Sequence, residues 1–232
     1  MRFPTTAALC LGTATVLVLV ACSNGSTRAA DPTSSGSGSG RQEGRTAPAA
    51  RPLSSAALAK RLLDEGDLGE GYTRKAEQPS QHDDVMVSGC PALSDLGGDA
   101  AAGGSLDFPR RAKVSFTYAS GTGSELSEEL YSGTAAELSS GVGRIFEAMT
   151  SCSSYQVLVG STPITVTTRH VPAPQLGDER WSQLLTLTVA EHGDVVKQTA
   201  VRVGTVVVVL SGLPALVDAH VRRAVGKARL TG

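Results

Sequence analysis

The residues of this chain best suited to chemistry are its four cysteines, Cys10, Cys22, Cys90 and Cys152. A thiol can be acylated, oxidised to a disulfide or bound to a metal, and its surroundings decide which. Cys22 closes the stretch Leu19-Val20-Ala21-Cys22, at the end of an apolar run over residues 7–21 that follows Arg2. A run of about 15 apolar residues is too short to cross a bilayer as a helix and has the length of a secretory signal core.

Leu19-Val20-Ala21-Cys22 resembles a bacterial lipobox, which implies cleavage before Cys22 and a diacylglycerol on its thiol. Ordinary signal cleavage and an uncleaved anchor are the alternatives. The lipobox reading divides the chain into a signal peptide (1–21), a lipidated Cys22 with a flexible tether (22–52) and a folded domain (53–232). It places the protein on the extracytoplasmic face of the cell membrane, held there by its lipid. Cys10 leaves with the signal, so Cys90 and Cys152 remain in an oxidising compartment. An even pair there reads as a disulfide. Two buried free thiols are the other reading. A metal site would need two further ligands, and no histidine lies at the required spacing.

Other polar groups carry less chemistry. Glu191-His192-Gly193-Asp194 sits acids beside a histidine, yet in a turn-forming stretch it reads as a solvated hairpin. His82-Asp83-Asp84 lies in a polar loop without partner ligands, and His220 sits near the apolar stripe of the last helix. Trp181 is a candidate pocket-lining residue, with a core role as its alternative. No Gly-x-Ser-x-Gly, Ser-x-x-Lys, His-Glu-x-x-His or Gly-x-x-x-x-Gly-Lys motif occurs. The expectation is therefore no enzyme, no catalytic residue, no cofactor and no metal. A net charge of −1 and 4% aromatic residues argue against nucleic acid as a partner.

The tether is rich in Ser, Gly, Ala and Pro and has no apolar periodicity, so it cannot offset its ordering entropy. As a coil of about 30 residues it would span roughly 30 Å. About 180 residues remain for folding, enough for one domain that buries roughly 70% of its unfolded surface.

The domain opens with a helix capped by Ser54 or Ser55, with Leu58, Leu62 and Leu63 on one side and Gly66 at its end. Residues 67–72 read as a turn into an extended segment, residues 74–84 as a polar loop, and residues 97–104 as a pliable Gly/Ala stretch. Residues 112–119 alternate, with Val114, Phe116 and Tyr118 on one face. Residues 125–132 return, after Gly121-Thr122-Gly123, with Leu126 and Leu130 opposite Glu125 and Glu129. Thr134 and Glu137 form a capping box for a helix over 134–151 whose stripe is Leu138, Val142, Ile145, Phe146 and Met149. Gly141 and Gly143 weaken that helix by about 1 kcal/mol each relative to Ala. Cys152 continues its core-facing stripe. Strands follow at 155–159, 163–171, 181–191, 195–203 and 206–210, with turns at His192-Gly193-Asp194 and Gly204-Thr205. The five apolar residues 206–210 suit a central strand covered on both faces. Pro214 starts a final helix with the stripe Leu216, Val217, Val221, Ala224 and Ala228. Arg222, Arg223, Lys227 and Arg229 lie in its second half, near the negative helix end.

This order of elements, with Asp67-Leu68, Gly71-Tyr72, Cys90, Cys152, Gly177-Asp178 and Gly204 as its short matching pieces, resembles the PknH-like extracellular sensor domains. Such domains occur on mycobacterial receptor kinases and alone in actinobacterial lipoproteins. The resemblance implies an α+β fold: a single twisted antiparallel sheet packed against two main helices, framing a cleft for an unidentified ligand. The chain departs from that pattern in having cysteines for one disulfide where a related domain has two. The resulting expectation is a membrane-anchored lipoprotein with a ligand-binding or sensing domain. Its partner would be an unknown small molecule or an envelope protein. The alternative is a protein–protein interaction or scaffold module of the cell envelope.

Overall fold

The computed structural model describes residues 50–76, 85–96, 108–118 and 124–230. The signal run, Cys22, most of the tether, the His82-Asp83-Asp84 loop, the 97–104 stretch and the 121–123 turn lie outside the described residues. Residues Ala47–Gly232 form a unit of their own. That unit holds the described core residues and the disulfide.

The domain is mostly sheet. Nine strands are described: β1 (Tyr72–Arg74), β2 (Val85–Ser88), β3 (Arg111–Tyr118), β4 (Glu125–Ser132), β5 (Ser154–Val159), β6 (Thr162–His170), β7 (Glu179–Val189), β8 (His192–Val203) and β9 (Val206–Gly212). They form one sheet in the order β1-β3-β4-β9-β8-β7-β6-β5-β2, and every pairing is antiparallel. The helices are α1 (Ser55–Ala59), α2 (Glu65–Leu68), α3 (Pro91–Ser94), α4 (Ala135–Ser151) and α5 (Pro214–Ala228).

Side chains alternate across a strand, so the register assigns each residue to a face. Val114, Glu128, Leu210, Thr199 and Ser182 form one cross-strand row on the face beneath α5. Val217, Val221 and Ala224 of α5 pack there with Leu58, Leu63 and Phe116. On the opposite face Leu138, Val142 and Phe146 of α4 meet Tyr131, Val207 and Val209. The run Val206–Leu210 is thus buried on both sides, as a continuous apolar strand requires.

Several local expectations change. The first helix does not run to Gly66. It ends at Ala59, and Asp64 starts a new turn. The Asp64 carboxylate accepts the Asp67 N–H at 3.0 Å, and the Asp67 carboxylate accepts the Asp64 N–H at 3.1 Å. This reciprocal cap restarts the chain in a different direction and places Asp67-Leu68 in a helical turn, not an open one. The β7–β8 hairpin turns at Ala190-Glu191, with Val189 paired to His192, so His192 and Asp194 belong to the strand. Ala190 takes the positive φ of 53° that the two-residue turn demands.

Glu129 does not lie on a wet face. It is 8% exposed and paired with Lys113 and the Tyr131 hydroxyl. Gly141 has a packing reason: a Cβ there would lie 2.6 Å from Cζ of Phe108. Gly143 has no such neighbour; its nearest contact would be Trp181 Nε1 at 3.9 Å. The basic end of α5 also bonds differently from expectation. Lys227 bridges Asp64 and Asp67, and the Arg61 guanidinium donates to the Ala228 carbonyl at 3.0 Å.

Cys90 and Cys152 are bonded, with Cα atoms 5.7 Å apart. Cys152 caps the C-terminus of α4, and Cys90 precedes Pro91 at the start of α3. The Cys90 arm is better anchored than its polar sequence suggests. β2 pairs with β5, and Leu93 is fully buried against Met149, Tyr155 and Val157. The bridge spans 62 residues. Closing a loop of that size restricts the unfolded chain by about 4 kcal/mol. Replacing both cysteines with serine should lower the free energy of unfolding by up to about 4 kcal/mol, read by urea denaturation, and β2 should show the largest gain in amide exchange.

Candidate functional site

Among the described residues β1 pairs with β3 at Phe116, Thr117 and Tyr118, and no described strand lies on the outer edge of the start of β3. α1 takes that place, and the Ser55 hydroxyl accepts the Arg111 N–H at 3.2 Å. A cleft of about 520 Å³ opens at this junction. Ala56, Ala59 and Leu62 supply an apolar wall. Lys113, Glu129 and Tyr131 supply a polar one, and Arg74 and Arg111 stand at its exposed margin. Cross-strand pairing of Lys113 with Glu129, and of Arg111 with Tyr131, sets these side chains next to each other. Lys113 Nζ lies 2.7 Å from the Glu129 carboxylate, which also accepts a hydrogen bond from the Tyr131 hydroxyl.

A second polar feature lies under the same α1–α2 segment, on the α5 face. Glu128 is completely buried. One oxygen accepts the Leu63 N–H at 2.6 Å, and the other has no partner among the described residues. Burial pushes its carboxyl up to about 7, against the Leu63 hydrogen bond and Lys227, which act downward, and with Asp67, which acts upward. Burial thus favours the neutral acid in the folded chain, while the hydrogen bond from Leu63 favours the carboxylate. Elsewhere in the domain the Tyr72 hydroxyl and His220 Nε2 hydrogen-bond at 2.7 Å, and burial and then Arg223 push His220 down from its usual value.

The residues singled out in the sequence do not converge. Trp181 lies on the α4 face, 6.2 Å from the Phe146 ring, and does not line the cleft. It belongs to the edge of the apolar cluster beneath α4. His192 and Asp194 are exposed at the β7–β8 hairpin. Cys22 lies outside the described residues. Sequence reasoning missed Arg74, Arg111, Lys113, Glu128 and Tyr131. For Glu128 the signal was present: strict alternation puts residue 128 with Leu126 and Leu130, on the apolar side. Nothing local could have indicated the cleft, because it joins residues far apart in the chain.

The titration of Glu128 has a definite sign. An unfolded glutamate releases its proton near 4.5, whereas the folded chain holds it up to about 7. The folded state therefore binds more protons between these values, and stability falls as pH rises through that window. The loss should be on the order of 3 kcal/mol between about pH 5 and about pH 8, measured by urea denaturation. Glu128→Gln keeps a neutral acceptor for Leu63 and should remove most of this fall, with little change at the acidic end.

No family model matches this chain, and no curated protein matches it. Among solved structures it is similar to the extracellular domain of PknH from Mycobacterium tuberculosis. The sequence identity is 12%, and the match covers 77% of this chain and 97% of that domain with a TM-score of 0.57. Among the described residues no helix is long and apolar enough to cross a membrane. The chain thus has the fold of the PknH extracellular domain.

Proposed function

We propose that this protein is a lipid-anchored extracytoplasmic lipoprotein whose domain binds or senses a ligand, with the cleft between α1 and β3 as the ligand seat. The observation that carries this reading is the fold likeness, which spans nearly the whole of a domain described as extracellular. The Cys90–Cys152 bond supports it, since such bonds persist in oxidising compartments. The lipobox-like Leu19-Val20-Ala21-Cys22 supplies the anchor, and the protein works without catalysis or a cofactor. In cells the wild-type protein should fractionate with membranes and carry a diacylglyceryl group on Cys22 by mass spectrometry. Cys22→Ala should lack that mass. A wild-type N-terminus without lipid would remove the anchor from the proposal.

A second reading, an envelope interaction module, is favoured by one surface. α5 covers the face of β4, β9 and β8, and among the described residues no helix covers the same face of β2, β5 and β6. Met86 of β2 is 64% exposed there, opposite half-buried Leu158 of β5, and on the same face Val195 at the far end of β8 is 40% exposed and Leu184 of β7 is half-buried. If this face serves a protein partner, Met86→Glu with Val195→Glu should abolish crosslinking to envelope proteins in cells while leaving the cleft and the fold unchanged by circular dichroism. Retained crosslinking would leave the cleft as the working surface.

A further inference from the structure

We infer that the cleft between α1 and β3 takes an amphipathic anion, a phosphate or carboxylate group attached to a short apolar body. The inference rests on the cleft being the ligand seat and goes on to name the ligand class. Four charged residues line it: Arg74, Arg111, Lys113 and Glu129. Glu129 is already matched, by Lys113 at 2.7 Å and by the Tyr131 hydroxyl. Arg74 and Arg111 make no ion pair among the described residues. Glu65, whose carboxylate accepts the Arg74 backbone N–H at 3.3 Å, makes none with the Arg74 guanidinium. Among the described residues the cleft therefore carries two positive charges without an ion-pair partner, in a chain whose net charge is −1. A guanidinium presents a planar fork that matches carboxylate or phosphate oxygens, and a concave low-dielectric wall focuses its field.

The opposite wall is different in kind. Ala56, Ala59 and Leu62 present small apolar side chains and no charge. A fully hydrated inorganic ion would leave that wall in contact with water. A ligand with a few methylene groups would cover it and bury them favourably. Among the described lining residues a cation would meet Arg74, Arg111 and Lys113 with Glu129 already paired, which disfavours it. The same head group could belong to a soluble metabolite or to a lipid, and the test separates these sources.

The experiment uses residues 47–232, the unit that holds the described core, and calorimetric titration with butyl phosphate, inorganic phosphate, butylammonium and phosphatidylglycerol vesicles. Butyl phosphate should bind at least about tenfold more tightly than inorganic phosphate or butylammonium. Arg74→Ala with Arg111→Ala should weaken it by about tenfold or more, and Ala59→Trp should abolish it by filling the apolar wall. Binding of vesicles but not of butyl phosphate, lost in both variants, would assign the head group to a lipid. Binding of butyl phosphate alone would assign it to a soluble ligand. Equal or tighter binding of butylammonium, lost in Ala59→Trp, would overturn the anion while leaving the cleft as the seat. If no probe binds, or if Ala59→Trp changes nothing while circular dichroism shows it folded, the cleft itself is not the seat and both readings fall.

Discussion

The pairing of β4 with β9 holds this fold together. β1, β3 and β4 form one group at one side of the sheet, and β5 to β8 with β2 form the other, although the chain passes from β1 to β2 and back to β3. Only β9, inserted between β4 and β8, makes them one sheet. Its register runs over seven residue pairs with β4, from Leu126 opposite Gly212 to Ser132 opposite Val206. The two strands are 74 residues or more apart along the chain, so the contact is costly in loop entropy and forms only if much surface is buried at once. The run Val206–Leu210 meets that demand because it has apolar side chains for both faces. Gly212 completes the register: a Cβ there would lie 2.3 Å from the Glu125 carbonyl oxygen, so the two backbones approach as closely as glycine allows.

Next to this central pairing the chain accepts a polar group. Glu128 lies opposite Leu210 and Val114, in the row that α5 covers. Isoleucine or leucine would suit that position better by transfer energy alone. What Glu128 does instead is accept a hydrogen bond from the Leu63 backbone, which otherwise would be buried without a partner where α1 gives way to α2. Lys227, Asp64 and Asp67 then tie the same segment to the end of α5. The N-terminal segment, which forms one wall of the cleft, is thus held by polar contacts as well as by Leu58 and Leu63. That arrangement links the protonation of a core carboxyl to one wall of the cleft.

The two faces of the sheet are finished unequally. α4, α3 and the disulfide close the face of β5, β6 and β7 that carries Tyr155, Val166 and Leu185. The reverse face of those strands bears Gln156, Thr165 and Thr167, all exposed. A single sheet of nine strands offers more area than two helices of 17 and 15 residues can cover, so part of it must be polar or meet another surface.

The sequence by itself determined the elements whose signals are local. Alternation at Val114 and Phe116, the Thr134–Glu137 capping box, the apolar run at 206–210 and Pro214 each depend on residues within a few positions. Each is found in the structure close to where those residues put it. The Cys90–Cys152 bond was legible too, because compartment and count constrained it more than geometry did. Tertiary structure decided what depends on distant residues. The order of strands, the break of the first helix at Asp64 and the burial of Glu128 and Glu129 belong here. So does the packing of Phe108 on Gly141. The cleft is the clearest case. Its wall comes from residues 55–62 and its charges from positions 74, 111, 113 and 129. No periodicity in the chain encodes such a meeting, since it brings together residues far apart in the sequence once the sheet has formed.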